Sequence, residues 1–134
     1  MVVLDASVIL KWLKPDERSE AAESFLEAHL AGREVIFVPV LLLYEVGNAL
    51  RFSRVLTPDE IEQSLALLHA AHLTYVNPNL ALLADTVRIA TETGLSVYDG
   101  SYVALSRMLS CSLITADKKL YDRAKIIFPA IQLL

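Results

Sequence analysis

The chain begins Val2-Val3-Leu4-Asp5-Ala6-Ser7, three apolar β-formers followed at once by a carboxylate and then a hydroxyl. A strand that is apolar on both faces belongs in the middle of a sheet covered by helices on each side. Val2 to Asp5 therefore reads as a central strand of a layered α/β fold. An aspartate directly after such a run is poorly solvated unless something compensates its charge, so the same few residues mark Asp5 as a candidate functional group.

Working outward, short β-rich runs alternate with longer segments of helical period, the signature of a parallel α/β sheet. Ser19 to Ala31 carries Ala22, Phe25, Leu26 and Leu30 at helical spacing and stops at Gly32. Val35 to Val38 reads as the second strand, and Pro39 as the opening of a helix that runs to about Ser53 with Glu45 in its middle. Thr57-Pro58-Asp59-Glu60 is a capping box for a helix whose inner face is Ile61, Leu65, Leu68 and His72. Leu73 to Val76 is the third strand. Asn77-Pro78-Asn79 then turns the chain into a helix ending near Gly94. Leu95 to Tyr98 leads to a further helix at Asp99, with Tyr102, Leu105 and Leu109 facing inward. Leu113 to Thr115, a short helix starting at Asp117, and an edge strand from Ile131 to Leu133 complete the chain.

In an open parallel sheet the functional crevice lies beyond the carboxyl ends of the strands, where strand order reverses. Asp5 and Asp117 fall there, Asp99 begins a helix on the same edge, and Glu45 follows a strand end by one or two turns. Taken singly, Asp99 and Asp117 have an ordinary explanation as helix N-caps. Glu45 sits in Val40-Leu41-Leu42-Leu43-Tyr44-Glu45-Val46, with Asn48 on the same face, and points into a protein-lined space. Carboxylates clustered within a few ångströms repel unless a cation sits among them. All-oxygen ligands favour Mg²⁺ or Mn²⁺, whereas zinc recruits histidine or cysteine, and His29, His69, His72 and Cys111 show no ligand spacing. Hydrolysis of a phosphodiester fits such equipment. No glycine-rich phosphate loop or nucleophile-base arrangement is present.

With these residues placed, the chain resembles a PIN domain of the VapC type, the ribonuclease half of a toxin-antitoxin pair. The likeness spans residues 1–134 as one domain. It rests on Val3-Leu4-Asp5-Ala6-Ser7, Tyr44-Glu45-Val46-Gly47-Asn48-Ala49-Leu50, Tyr98-Asp99-Gly100-Ser101-Tyr102-Val103-Ala104-Leu105-Ser106, and Leu113-Ile114-Thr115-Ala116-Asp117-Lys118-Lys119-Leu120, in that order. The resemblance implies a five-stranded parallel sheet in the order 3-2-1-4-5 with helices on both faces, a Mg²⁺- or Mn²⁺-dependent endoribonuclease, a homodimer, and a cognate antitoxin covering the active site. It implies catalytic, metal-binding roles for Asp5, Glu45, Asp99 and Asp117, with Ser7, Thr115 and Asn48 in support. Asp122 either reaches a second ion or faces solvent.

The net charge of -4 means that RNA must be met by a local patch. Lys118, Lys119, Arg123 and Lys125 form the densest basic stretch and could supply phosphate contacts, although cations near a helix end need no further reason. Trp12, between Lys11 and Lys14, reads as core, with stacking on an unpaired base as the alternative. Hydrophobic residues make up 54% of the chain, a surplus that suggests a subunit or partner contact. No apolar run reaches membrane-span length. Met1 leads straight into the first strand without an export leader, which predicts a soluble, cytoplasmic protein. Two rivals stand beside the nuclease reading. One is a PIN-like module that binds RNA or protein without cutting. The other is a phosphoacceptor receiver domain, opposed by Asn77 at the end of the third strand and by the absence of an acidic partner next to Asp5.

Overall fold

In a computed structural model that describes residues 1–134, the chain runs β1 (Val2–Leu4), α1 (Ala6–Leu13), α2 (Glu20–Leu30), β2 (Ile36–Pro39), α3 (Leu42–Arg51), α4 (Pro58–Ala70), β3 (Thr74–Val76), α5 (Leu80–Thr93), α6 (Val97–Leu109), β4 (Ser112–Thr115), α7 (Lys118–Ala124) and β5 (Ile131–Leu133). A 3₁₀ turn at Pro15–Glu17 separates α1 from α2. The strands form one parallel sheet in the order β3-β2-β1-β4-β5, as the resemblance implies. No helix is long and apolar enough to cross a membrane.

β1 lies at the centre because Val2, Val3 and Leu4 point alternately to opposite faces and all three are buried. Both faces are therefore covered by helices. On one, α6 packs across β1, β2 and β4 and is backed by α5; elsewhere α1 packs against α2, α3 and α4. β1 pairs with β2 on one side and β4 on the other, in registers Val3↔Phe37 and Leu4↔Ile114. The chain thus lays β2 and β3 to one side of β1 and then returns to lay β4 and β5 on the other. The reversal falls between β1 and β4, where Asp5 and Thr115 emerge.

Several expectations need correction. Pro39 does not open a helix: it is the last residue of β2, paired with Val76 of β3, and α3 begins at Leu42 without a side-chain cap. Proline is tolerated there because β1 ends its pairing at Phe37, so the missing N–H deprives no neighbouring strand. The inner face of α4 carries Ile61 and Leu68 as expected, but with Ser64 rather than Leu65 and His72. Leu65 is exposed, and His72 lies beyond the helix at φ +51. The segment after Asp5, which pattern reading leaves without an element, is α1. It buries Val8, Ile9, Trp12 and Leu13, and Trp12 Nε1 donates to Ala22 O at 2.7 Å, so Trp12 belongs to the core.

The helix ends follow their sequence signals. Thr57 and Glu60 exchange the reciprocal bonds of a capping box at α4. Asn79 caps α5, and Gly94 ends it at φ +67. Gly100 sets how closely α6 lies on α5, since a Cβ there would stand 3.1 Å from the Thr86 carbonyl oxygen and 3.5 Å from Ala90 Cβ. Gly100→Ala gains helix propensity but forces the two backbones apart, and overpacking of this kind costs about 1–3 kcal/mol. The variant is expected to melt several degrees below the parent in a thermal denaturation; an unchanged or higher midpoint would show that α5 yields freely.

Candidate active site

Asp5 is the N-cap of α1, accepting from Val8 N at 3.2 Å. It is also a buried carboxylate, 5% exposed, with hydroxyls on both oxygens. Ser7 Oγ donates to Oδ1 at 2.6 Å and Thr115 Oγ1 donates to Oδ2 at 2.7 Å. The two hydroxyls are themselves held: Ala116 N donates to Ser7 Oγ at 2.8 Å, and Asp117 N donates to Thr115 Oγ1 at 2.9 Å. The backbone joins the same edge, where Asp5 N donates to Ile114 O at 3.2 Å. Residues more than a hundred positions apart are thereby locked into one network.

Burial dominates the electrostatics. It pushes the Asp5 carboxyl up to about 6, against the pull of the Ser7, Thr115 and Val8 donors, and the nearby Asp117 charge adds to the rise. Glu45 is also raised by burial, then by the charges of Asp5 and Asp99, while a hydrogen bond from the Tyr102 phenol works the other way. Asp5 thus lies near enough to feel Asp117, and Glu45 near enough to feel Asp5 and Asp99.

They do not close into a cage. No three carboxylate, imidazole or thiol side chains stand at mutual distances that would already hold an ion. Three of the four carboxylates instead have protein donors. Asp117 caps α7, its Oδ1 accepting from Lys119 N at 2.7 Å and Leu120 N at 3.1 Å. Glu45 Oε2 accepts from Tyr102, and Asp5 is held as described. Asp99 differs from the expectation of a cap: it is the third residue of α6, and Ser96 caps that helix by accepting from Asp99 N at 3.0 Å. Capping therefore explains Asp117 and leaves the half-buried Asp99 carboxylate without that reason to be there.

Glu45 and Asn48 line an open groove of about 410 Å³ together with Leu41, Tyr44 and Tyr98. The two tyrosines are 81% and 67% exposed. Leu41 and Tyr98 also border a neighbouring apolar cavity of about 200 Å³. The basic stretch is largely spent within itself. Lys118 and Lys125 pair with Asp122 at 2.5 and 3.0 Å, holding its carboxyl below the usual range. Arg123 donates to the Gly94 carbonyl, tying α7 to the α5–α6 turn. Lys119 is exposed and has no acidic partner.

The donor set is all oxygen and carboxylate-rich, and its two deepest members are raised by burial and mutual repulsion. Such a set fits a hard divalent cation, whose charge would offset both effects. Sequence reasoning missed the Tyr102 phenol on Glu45. The signal was available, since a tyrosine on an inward helix face needs a hydrogen-bond partner and Tyr102 lies three residues after Asp99. His29 serves structure: its Nδ1 lies 3.1 Å from Glu34 O and accepts from Ile36 N at 3.3 Å.

A PIN domain family model matches residues 2–126. Ribonuclease VapC3 of Pyrobaculum aerophilum is 32% identical over 134 residues, covering 97% of this chain and 96% of that one. Among solved structures, VapBC2 from Rickettsia felis bound to a promoter DNA fragment superposes with a TM-score of 0.72 at 16% identity, covering 100% of this chain and 98% of the other. A toxin-antitoxin complex from Klebsiella pneumoniae gives 0.70 at 15% identity, covering 98% and 96%. At these identities the two structures agree with this chain in fold.

A buried charge costs stability in the absence of a cation. Asp5→Asn removes that charge while keeping the shape, so in EDTA it is expected to fold and to melt about 3 °C or more above the parent. Added Mn²⁺ should raise the parent's midpoint and leave the variant's in place. A variant that melts several degrees lower in EDTA would show that the hydroxyl bonds to the ionised carboxylate outweigh the cost of burying it.

Proposed function

This chain belongs to the PIN domain family, and from that premise we propose that it is an endoribonuclease that cuts RNA with the help of Mg²⁺ or Mn²⁺, as the toxin of a toxin-antitoxin pair. The observation that carries the reading is the buried Asp5, clamped by Ser7 and Thr115 at the reversal point of the sheet, with Glu45, Asp99 and Asp117 around it. The 32% identity to a ribonuclease along nearly the whole chain supports RNA as the substrate class.

Asp5, Glu45, Asp99 and Asp117 would hold the ion. When bound, it polarises a water and the scissile phosphate and offsets the charge that develops on the leaving oxygen. The protein's task is placement. Ser7 and Thr115 fix the direction of both Asp5 oxygens, so the carboxylate loses little freedom on binding a cation. Thr115 also receives the Asp117 N–H, which ties the start of α7 to Asp5. Asn48 lines the groove beside Glu45, where an amide can meet a sugar or phosphate oxygen of the substrate. Lys119, next to Asp117 and unpaired, is the cation of the basic stretch best able to meet a neighbouring phosphate.

The Klebsiella complex, alike in fold, pairs a toxin with an antitoxin, which supports a protein partner that covers this groove. The apolar surplus of the chain supports a homodimer in a soluble, cytoplasmic protein. Antitoxin and second copy both remain partners proposed for this chain.

The purified protein is expected to cleave circular single-stranded RNA in Mn²⁺ or Mg²⁺, a substrate without ends, and to lose activity in EDTA. Asp5→Asn and Asp99→Asn should each lower the rate by about a hundredfold or more, at or beyond the upper end of what losing a residue around a metal's ligands costs. Equal cleavage by parent and variants would trace the activity to a contaminant. Intact RNA bound tightly by the parent would leave a binding module in place of an enzyme.

A further inference from the structure

Tyr102 is the one polar group on the inward face of α6 that touches an acid of the site. It is 2% exposed and lies one turn after Asp99, so the two side chains project from the same side of the helix. Its neighbours on α6, Val103, Ala104 and Leu105, are fully buried and apolar. A phenylalanine would fill the same space, so the hydroxyl is not there for packing. It donates to Glu45 Oε2, reaching from α6 to α3 across 57 residues of chain. Glu45 has no other protein donor.

We infer that Tyr102 is a positioning residue for Glu45: its O–H fixes the glutamate rotamer and occupies Oε2, leaving Oε1 as the oxygen presented to a cation. The inference rests on the reading of the four acids as a divalent-cation site. A free glutamate side chain gives up rotamer entropy when it is fixed. Here the Tyr102 bond fixes it before any cation arrives. Because α6 carries both Asp99 and Tyr102, the placement of one acid and the aim of another are set by a single helix, whose seat on α5 depends on Gly100.

The test is a double-mutant cycle read by calorimetric titration of Mn²⁺ into the full chain, as wild type, Tyr102→Phe, Glu45→Ala, the double variant, and Asp5→Asn as a control. Tyr102→Phe is expected to weaken Mn²⁺ binding about 10- to 100-fold while its melting midpoint in EDTA stays within a few degrees of wild type. In the Glu45→Ala background the same change should weaken binding no further, because the phenol acts only through Glu45. Cleavage by Tyr102→Phe should recover towards the wild-type kcat as Mn²⁺ is raised. Unchanged Mn²⁺ affinity in Tyr102→Phe, or an equal loss in both backgrounds, would overturn the inference while Asp5→Asn still loses the ion and the metal reading stands. Wild type that takes up no Mn²⁺, or Asp5→Asn that takes up as much as wild type, would overturn both.

Discussion

One buried negative charge organises this molecule. Asp5 emerges from a strand whose three residues are all buried, at a place where water cannot solvate a carboxylate, and the surrounding chain is arranged to make that tolerable. Ser7 comes from the first turn of α1, Thr115 from the end of β4, and both are locked by backbone N–H groups. The Thr115–Asp5 and Ala116–Ser7 bonds cannot form unless β4 lies beside β1 in the register that sets Leu4 opposite Ile114. The order of the strands is therefore tied to the site: with β4 anywhere else in the sheet, Asp5 would be left buried and half satisfied. The hydrogen bonds reduce the cost of burial without cancelling it, as the raised Asp5 carboxyl records. On the proposed reading, the protein gives up stability here in exchange for a cation ligand.

The second consequence concerns charge. A chain of net charge -4 repels the polyanion it is proposed to cut. The densest basic stretch does little to help, since Asp122 takes up Lys118 and Lys125 and Arg123 is spent on Gly94. On the proposed reading, attraction comes from bound cations beside the acids, aided by Lys119. In this account metal binding both supplies the chemistry and reverses the sign of the field that RNA meets. The exposed rings of Tyr44 and Tyr98, which line the Glu45 groove, present flat apolar faces that charge repulsion does not affect.

How much of this was legible in the sequence differs element by element. The central strand was legible because three buried β-formers precede an acid. The capping box at Thr57, the Asn79 cap and the Gly94 stop were legible because each is a local hydrogen-bonding device. The helix Ala6–Leu13 was not read, although Val8, Ile9, Trp12 and Leu13 recur at helical spacing, because eight residues give only about two turns of pattern. Pro39 misled because proline suits both a helix start and a strand end, and only pairing with β3 decides between them. Leu65 was placed inward by spacing, whereas the helix turns Ser64 to the core and bonds it to the Leu13 carbonyl. At the site, the identity of the acids was readable from four ordered motifs. Ser7 and Thr115 were readable from the same motifs as supporting residues, but which acid each partner bonds was not, because the Tyr102–Glu45 and Thr115–Asp5 bonds cross 57 and 110 residues of chain.

Whether carboxylates remote in sequence act as one cation-binding group is tested most directly by anomalous diffraction from crystals soaked in Mn²⁺. The account predicts a strong anomalous peak in the crevice within about 2.0–2.3 Å of Asp5 and at least one of Glu45, Asp99 and Asp117, with the acid side chains drawn together relative to their positions here. A soaked crystal with no peak in that crevice, or with its manganese held only by surface acids elsewhere, would contradict it.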